Sequence, residues 1–197
     1  MYHSHSDTLR GRTSGIVTTP LSSRNNAISE PSPITLVLGG ARSGKSRHAE
    51  LLLTAHAEPW IYVATGQAFD DEMRVRIAEH RARRSAGWHT VEAKVELAAA
   101  IGAQPHRPVL IDCLTLWLTN LMLGGHDVAA ASAALEHVLA ARHAPTVLVG
   151  NEVGLGIVPD TPLGRAFRDE AGRLNQRMAA LAGRVVFMVA GLPMIVK

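Results

Sequence analysis

Gly39-Gly40-Ala41-Arg42-Ser43-Gly44-Lys45-Ser46 follows the spacing G-x-x-x-x-G-K-[ST] of a phosphate-binding loop. Its surroundings are those the loop requires. Ile34-Thr35-Leu36-Val37-Leu38 is a short apolar, β-branched run that reads as a buried strand. Lys45 to Ala55 reads as a helix that turns Ala49, Leu52 and Leu53 toward the sheet. Backbone N–H groups can converge on a polyphosphate only if side chains stay away, and the glycines allow that approach. The helix that starts near Lys45 offers unpaired N–H groups and its positive dipole end to the same anion. Lys45 then reaches the outer phosphates, and the Ser46 hydroxyl is placed to hold Mg²⁺. The chain has only three lysines, Lys45, Lys94 and Lys197, among 20 basic residues, so a lysine here is no accident of composition.

The 197 residues are enough for a substantial core, and 47% hydrophobic with 19% charged residues are globular values. A net charge of +3 with no basic stripe argues against a nucleic-acid partner. The single cysteine, Cys113, lies in an apolar run, reads as a small buried hydrophobe, and fits a reducing cytoplasm. The longest apolar run, Val109 to Leu123, is too short to span a membrane and is broken by Asp112, so no stable membrane insertion is expected. Residues 1–33 are polar, lack periodicity and end at Pro31-Ser32-Pro33; they are expected to form a disordered extension, with His3 and His5 solvated. Residues 34–197 are expected to form one nucleotide-binding catalytic domain.

Strands are expected at Trp60–Thr65, Trp88–Ala93, Val109–Asp112, Thr146–Gly150, Val185–Val189 and Met194–Val196. Helices are expected from Asp70 to about Arg84, Val95 to Ile101, Leu114 to Leu123, Val128 to Arg142 and Leu163 to Leu181. This alternation predicts an α/β fold, a mainly parallel sheet with flanking helices, with ligands at the carboxyl ends of the strands.

Three further positions carry candidate chemistry. Asp112 ends a buried strand, where a second ligand for Mg²⁺ belongs; the competing reading is an N-cap for the helix from Leu114. Asn151-Glu152-Val153-Gly154 to Pro159 follows the fifth strand and reads equally well as a substrate loop or an ordinary one. His80 shares a helix face with Met73 and Ile77 and precedes Arg81, Arg83 and Arg84, which favour its neutral form. Spacing alone makes it a half-buried histidine beside a basic helix end; chemistry would make it a nucleophile toward phosphorus.

The stretch from Gly39 to Glu50 is more specific than a phosphate loop needs to be. With Tyr62-Val63-Ala64-Thr65, Asp71-Glu72-Met73 through Ile77 to His80-Arg81, Gly150-Asn151-Glu152-Val153-Gly154 to Pro159, and Phe167-Arg168-Asp169 to Asn175-Gln176, it resembles the bifunctional adenosylcobinamide kinase/adenosylcobinamide-phosphate guanylyltransferases of cobalamin biosynthesis. The resemblance implies a P-loop NTPase (RecA-like) fold and two reactions. ATP or GTP phosphorylates adenosylcobinamide; GTP then gives GMP, through a covalent GMP–histidine at His80, to adenosylcobinamide phosphate. It implies nucleotide contacts at Gly39, Gly40, Ala41, Arg42, Ser43, Gly44, Lys45, Ser46, Ala64, Thr65, Gly66, Arg81, Ala82, Arg83, Arg84, Glu92 and Asp112. It further implies Mg²⁺ on Ser46 and Asp112, and a homo-oligomer, typically a trimer. The rival readings are a small-molecule kinase without a covalent step and a nucleotide-dependent switch that leaves cobinamide untouched.

A histidine attacks phosphorus only as neutral imidazole. Guanylylation is therefore expected to fail as pH falls through the His80 pKa, near an unperturbed ~6.5 or lower. A pH–rate profile that stays flat to pH 4 would refute a histidine nucleophile.

Overall fold

A computed structural model describes residue 1, residues 32–67, residues 71, 75 and 78, and residues 84–197. Residues 2–31 of the expected N-terminal extension and most of the expected helix from Asp70 lie outside the described residues. The strands are β1 (Ile34–Gly39), β2 (Trp60–Ala64), β3 (Trp88–Glu92), β4 (Val109–Asp112), β5 (Thr146–Val149), β6 (Arg184–Val189) and β7 (Leu192–Ile195). The described helices are α1 (Lys45–Thr54), α2 (Leu97–Gly102), α3 (Leu114–Leu123), α4 (Val128–Ala140) and α5 (Pro162–Leu181).

The seven strands form one sheet in the order β3-β2-β4-β5-β1-β6-β7, parallel except for β7. Its central strands are apolar on both faces, as burial on both sides demands. Leu36, Val63, Ile111 and Leu148 point to one face, against Leu97 of α2, Trp117 of α3, Leu135 of α4 and Leu174 of α5. Val37, Tyr62, Leu110 and Val147 point to the other, against Ala49 and Leu53 of α1. The sheet thus separates a face packed by four described helices from the face that carries α1.

Local chemistry sets the element ends. Thr161 caps α5 by accepting from the Gly164 N–H at 3.1 Å, and Pro162 occupies the first turn, where its missing N–H costs nothing. Asp127 caps α4 in the same way, from the Ala130 N–H at 2.9 Å. The last strand begins two residues earlier than expected, at Leu192 rather than Met194. The two-residue link Ala190-Gly191 has positive φ at both positions, 50° and 82°, which suits a tight hairpin and lets β7 pair at once with β6. Pro193 is tolerated because β7 is an edge strand.

The fourth described helix also departs from expectation, ending at Ala140 instead of Arg142. Arg142 turns inward and is 5% exposed. Its guanidinium donates to the carbonyls of Gln104 at 2.8 Å and Arg107 at 2.7 Å and to Thr146 Oγ1 at 2.7 Å. It ties the segment after α2 to the start of β5, and burial holds its pKa below the usual arginine range. Arg142→Met keeps most of the volume but strands buried acceptors, at a cost of about 3 kcal/mol. Thermal unfolding is expected to shift down by about 6–12 °C for a domain of this size, while nucleotide affinity at 25 °C stays at the parent value.

Candidate active site

The phosphate loop joins β1 to α1. Gly39 has φ 150°, and a Cβ there would lie 2.7 Å from the Met188 carbonyl oxygen and 2.8 Å from Ser43 Oγ. Gly44, at φ 92°, is the N-cap of α1 and offers no side chain to cap it, so the first amides of the helix point to the space over the loop. Lys45 is only 7% exposed; its Nζ donates to the Gly40 carbonyl and lies 3.4 Å from Ser43 Oγ. Arg42 adopts the left-handed region at φ 54°. The β6–β7 turn braces the loop from beneath, the Gly191 N–H donating to the Ser43 carbonyl at 3.2 Å. Sequence reasoning missed that brace, although the Ala190-Gly191 pair signals a turn.

Strand register aligns the remaining candidates. Glu92 pairs with Ala64, Ala64 with Asp112, Asp112 with Val149, and Val149 with Val37. All five stand at one level, just short of the carboxyl edge at which the phosphate loop begins. Asp112 is two strands from β1 and Glu92 four, or ~10 Å and ~19 Å at the usual strand spacing. Asp112 is therefore the nearer of the two acids to the strand that leads into the phosphate loop, and Glu92, exposed on β3, stands at the far end of the row.

The side chain of Asp112 does not cap α3. Cys113 is the N-cap residue there, without a side-chain hydrogen bond. Asp112 is half-buried, and its Oδ2 accepts from the Tyr62 hydroxyl at 3.0 Å. Burial, then the Asp112 charge, push the Tyr62 pKa far up, so the phenol remains a proton donor. A hydrogen bond to a carboxylate is of the stronger, charge-assisted class. The Arg84 guanidinium carbon lies 3.6 Å from the centroid of the Tyr62 ring. Trp88 meets the same ring edge-on, centroids 6.2 Å apart at 77°. Tyr62 carries no role in the sequence reading beyond its place in a motif. An open cleft of about 390 Å³, lined in part by Arg47, Glu50, Arg84 and Trp88, lies on this face but is not lined by the phosphate loop.

Other candidates fall differently. Thr65 is fully buried; its hydroxyl bonds the backbone N–H and carbonyl of Cys113, each at 2.7 Å, and its own carbonyl accepts from Asn120 Nδ2 at 2.8 Å. It holds the edge together from within, while Ala64 and Gly66 on either side are half-buried. Cys113 is buried as expected, and burial followed by the Asp112 charge raises its thiol pKa to about 11, which leaves it inert. The loop after β5 emerges between the phosphate loop and Asp112. The Glu152 N–H donates to the Gly39 carbonyl at 3.0 Å, and the Asn151 N–H to Thr115 Oγ1 at 2.7 Å. His80, Arg81, Ala82 and Arg83 lie outside the described residues. Ser46 and Asp112 offer a hydroxyl and a carboxylate, the hard oxygen pair that Mg²⁺ takes alongside substrate phosphates. No cluster of three metal-binding side chains exists among the described residues to hold a metal by protein alone.

Residues 35–196 match the family described as cobinamide kinase / cobinamide phosphate guanyltransferase. The chain is 50% identical over 166 residues to the bifunctional adenosylcobalamin biosynthesis protein CobP of Pseudomonas aeruginosa, covering 82% of this chain and 96% of that one. It is 45% identical over 179 residues to the bifunctional protein CobU of Salmonella typhimurium and 44% identical over 179 residues to CobU of Escherichia coli, with 82% of this chain and 98% of each relative covered. Among solved structures, an ATPase of a type III secretion system superposes with a TM-score of 0.52 at 11% identity, over 79% of this chain and 51% of that chain. That likeness shows the P-loop NTPase fold alone.

The loop geometry gives a direct test. Gly39→Ala introduces strain of about 1–3 kcal/mol against the Met188 carbonyl, and titration with a fluorescent GTP analogue is expected to show affinity lowered about tenfold. Gly40→Ala, whose added Cβ meets nothing within 4 Å, is expected to melt with the parent protein, whereas Gly39→Ala melts lower.

Proposed function

Because the chain belongs to the cobinamide kinase / cobinamide phosphate guanylyltransferase family, we propose that it phosphorylates adenosylcobinamide and then transfers GMP to the product through a covalent histidine intermediate. The observation that carries this reading is that Asp112 and Glu92 stand in one row with Ala64, Val149 and Val37, just short of the carboxyl edge where the phosphate loop with Lys45 begins. In the kinase step the aminopropanol oxygen of adenosylcobinamide bonds to the γ-phosphorus of ATP or GTP. The β–γ bridging bond breaks, the diphosphate departs, and the hydroxyl proton is released.

In the second reaction a neutral His80 nitrogen bonds to the α-phosphorus of GTP, and the α–β bridging bond breaks to release pyrophosphate. A phosphate oxygen of adenosylcobinamide phosphate then displaces the imidazole. The P–N bond breaks, adenosylcobinamide-GDP leaves, and His80 is restored. Lys45, the loop amides and Arg81 to Arg84 neutralise charge on the leaving group. Glu92 takes the guanine edge, which suits a carboxylate at the far end of the strand row. Ser46 and Asp112 would hold Mg²⁺, which when bound screens the phosphate charge. The enzyme works in the cytoplasm on small-molecule substrates, as a homo-oligomer, a trimer by family resemblance. Among the described residues no helix is long and apolar enough to cross a membrane.

Incubation with Mg²⁺ and GTP labelled at the α-phosphate, followed by denaturation, tests the covalent step. Label that acid removes and alkali does not is the expected result, because phosphoramidates are acid-labile, and His80→Ala is expected to abolish it. Label that persists in His80→Ala would move the acceptor elsewhere. A protein that phosphorylates adenosylcobinamide yet never takes label would be a kinase alone.

A further inference from the structure

We propose that Tyr62 is a positioning residue for the Asp112 carboxylate, fixing its rotation by the hydrogen bond from the phenol to Oδ2. The proposal rests on reading Asp112 as a ligand of nucleotide-bound Mg²⁺, and it assigns a role to a residue outside the phosphate loop and the histidine segment.

The geometry follows from strand register. Ala64 is directly opposite Asp112 on the neighbouring strand, and Tyr62 is paired with Leu110. Side chains alternate, so Tyr62 and Asp112 share the α1 face as diagonal neighbours, a separation that only a long side chain bridges. The methyl of Ala64 leaves the way open, and the phenol reaches Oδ2 at 3.0 Å. A donor orients its acceptor only if it is itself fixed. The Tyr62 ring is 6% exposed, covered by the Arg84 guanidinium at 3.6 Å and met edge-on by Trp88. It is the kind of locked outer partner that holds a ligating group in one rotamer. Arg84 lies four positions after His80 in the sequence.

Tyr62→Phe removes the hydroxyl and keeps the ring. With the full chain and a fluorescent GTP analogue, binding is titrated against Mg²⁺ in the parent, Tyr62→Phe, Asp112→Ala and the double variant, with thermal unfolding as a check of fold. Tyr62→Phe is expected to raise the Mg²⁺ concentration for half-maximal binding about tenfold, with nucleotide affinity in EDTA unchanged. Added to Asp112→Ala it is expected to change nothing further, since its action passes through that carboxylate. A parent-like midpoint in Tyr62→Phe while Asp112→Ala shifts would overturn the positioning role. So would an equal loss of binding in EDTA, which would make the tyrosine merely structural. A parent-like midpoint in Asp112→Ala would instead sink the metal reading on which the proposal rests.

Discussion

Backbone amides can surround a polyphosphate only where no Cβ intrudes, and much of this molecule serves that single constraint. At Gly39 the bar to a side chain comes from the protein itself, from the Met188 carbonyl and Ser43 Oγ. The loop is therefore packed from below as well as open above. Beneath it, the β6–β7 turn supplies an N–H to Ser43, and beside it the chain after β5 supplies one to Gly39. The Gly39 and Ser43 carbonyls, which would otherwise oppose an anion, are thus already engaged.

The same economy governs the carboxylate. An acid at the end of a strand buried on both faces is costly unless a donor or cation meets it. Asp112 has such a donor in Tyr62, itself covered by Arg84. Because β5 intervenes between β1 and β4, the acid stands two strands from the strand that leads into the loop.

What the sequence disclosed and what it withheld divide along physical lines. The loop, its strand and its helix were legible because local spacing dictates them, and the sheet because apolar runs alternate with amphipathic ones. Asp112 drew notice in the sequence because a charge closing an apolar run is anomalous in one dimension, and in the fold it accepts from the Tyr62 hydroxyl. Tyr62 did not, because its role depends on a diagonal between strands 50 residues apart, and no spacing within either strand announces it. Arg142 was read as the tail of a helix because arginines there are usually solvated; its inward turn is set by carbonyls from a distant segment. Thr65 was assigned to the nucleotide as part of a motif, yet its hydroxyl is spent on the backbone of Cys113. Adjacency to a functional edge and exposure on it are different properties, and only the second requires three dimensions to see.

Two transfers at one phosphate loop pose a geometric problem that the strand row helps to solve. A kinase presents the γ-phosphorus to its acceptor, whereas guanylyl transfer presents the α-phosphorus, two phosphates further in. A fixed acceptor could not serve both with the nucleotide held in one place. The row from β1 to β3 is ~19 Å long at ordinary strand spacing, with Asp112 midway and Glu92 at its end. A nucleotide laid along that row exposes different phosphorus atoms to reactants approaching at different points of the edge. The chain bearing His80 leaves β2 and returns to β3, the far half of the row, while the loop after β5 opens over the near half. The sequence order thus puts the segment that carries His80 between β2 and β3, the two strands of the row farthest from the phosphate loop.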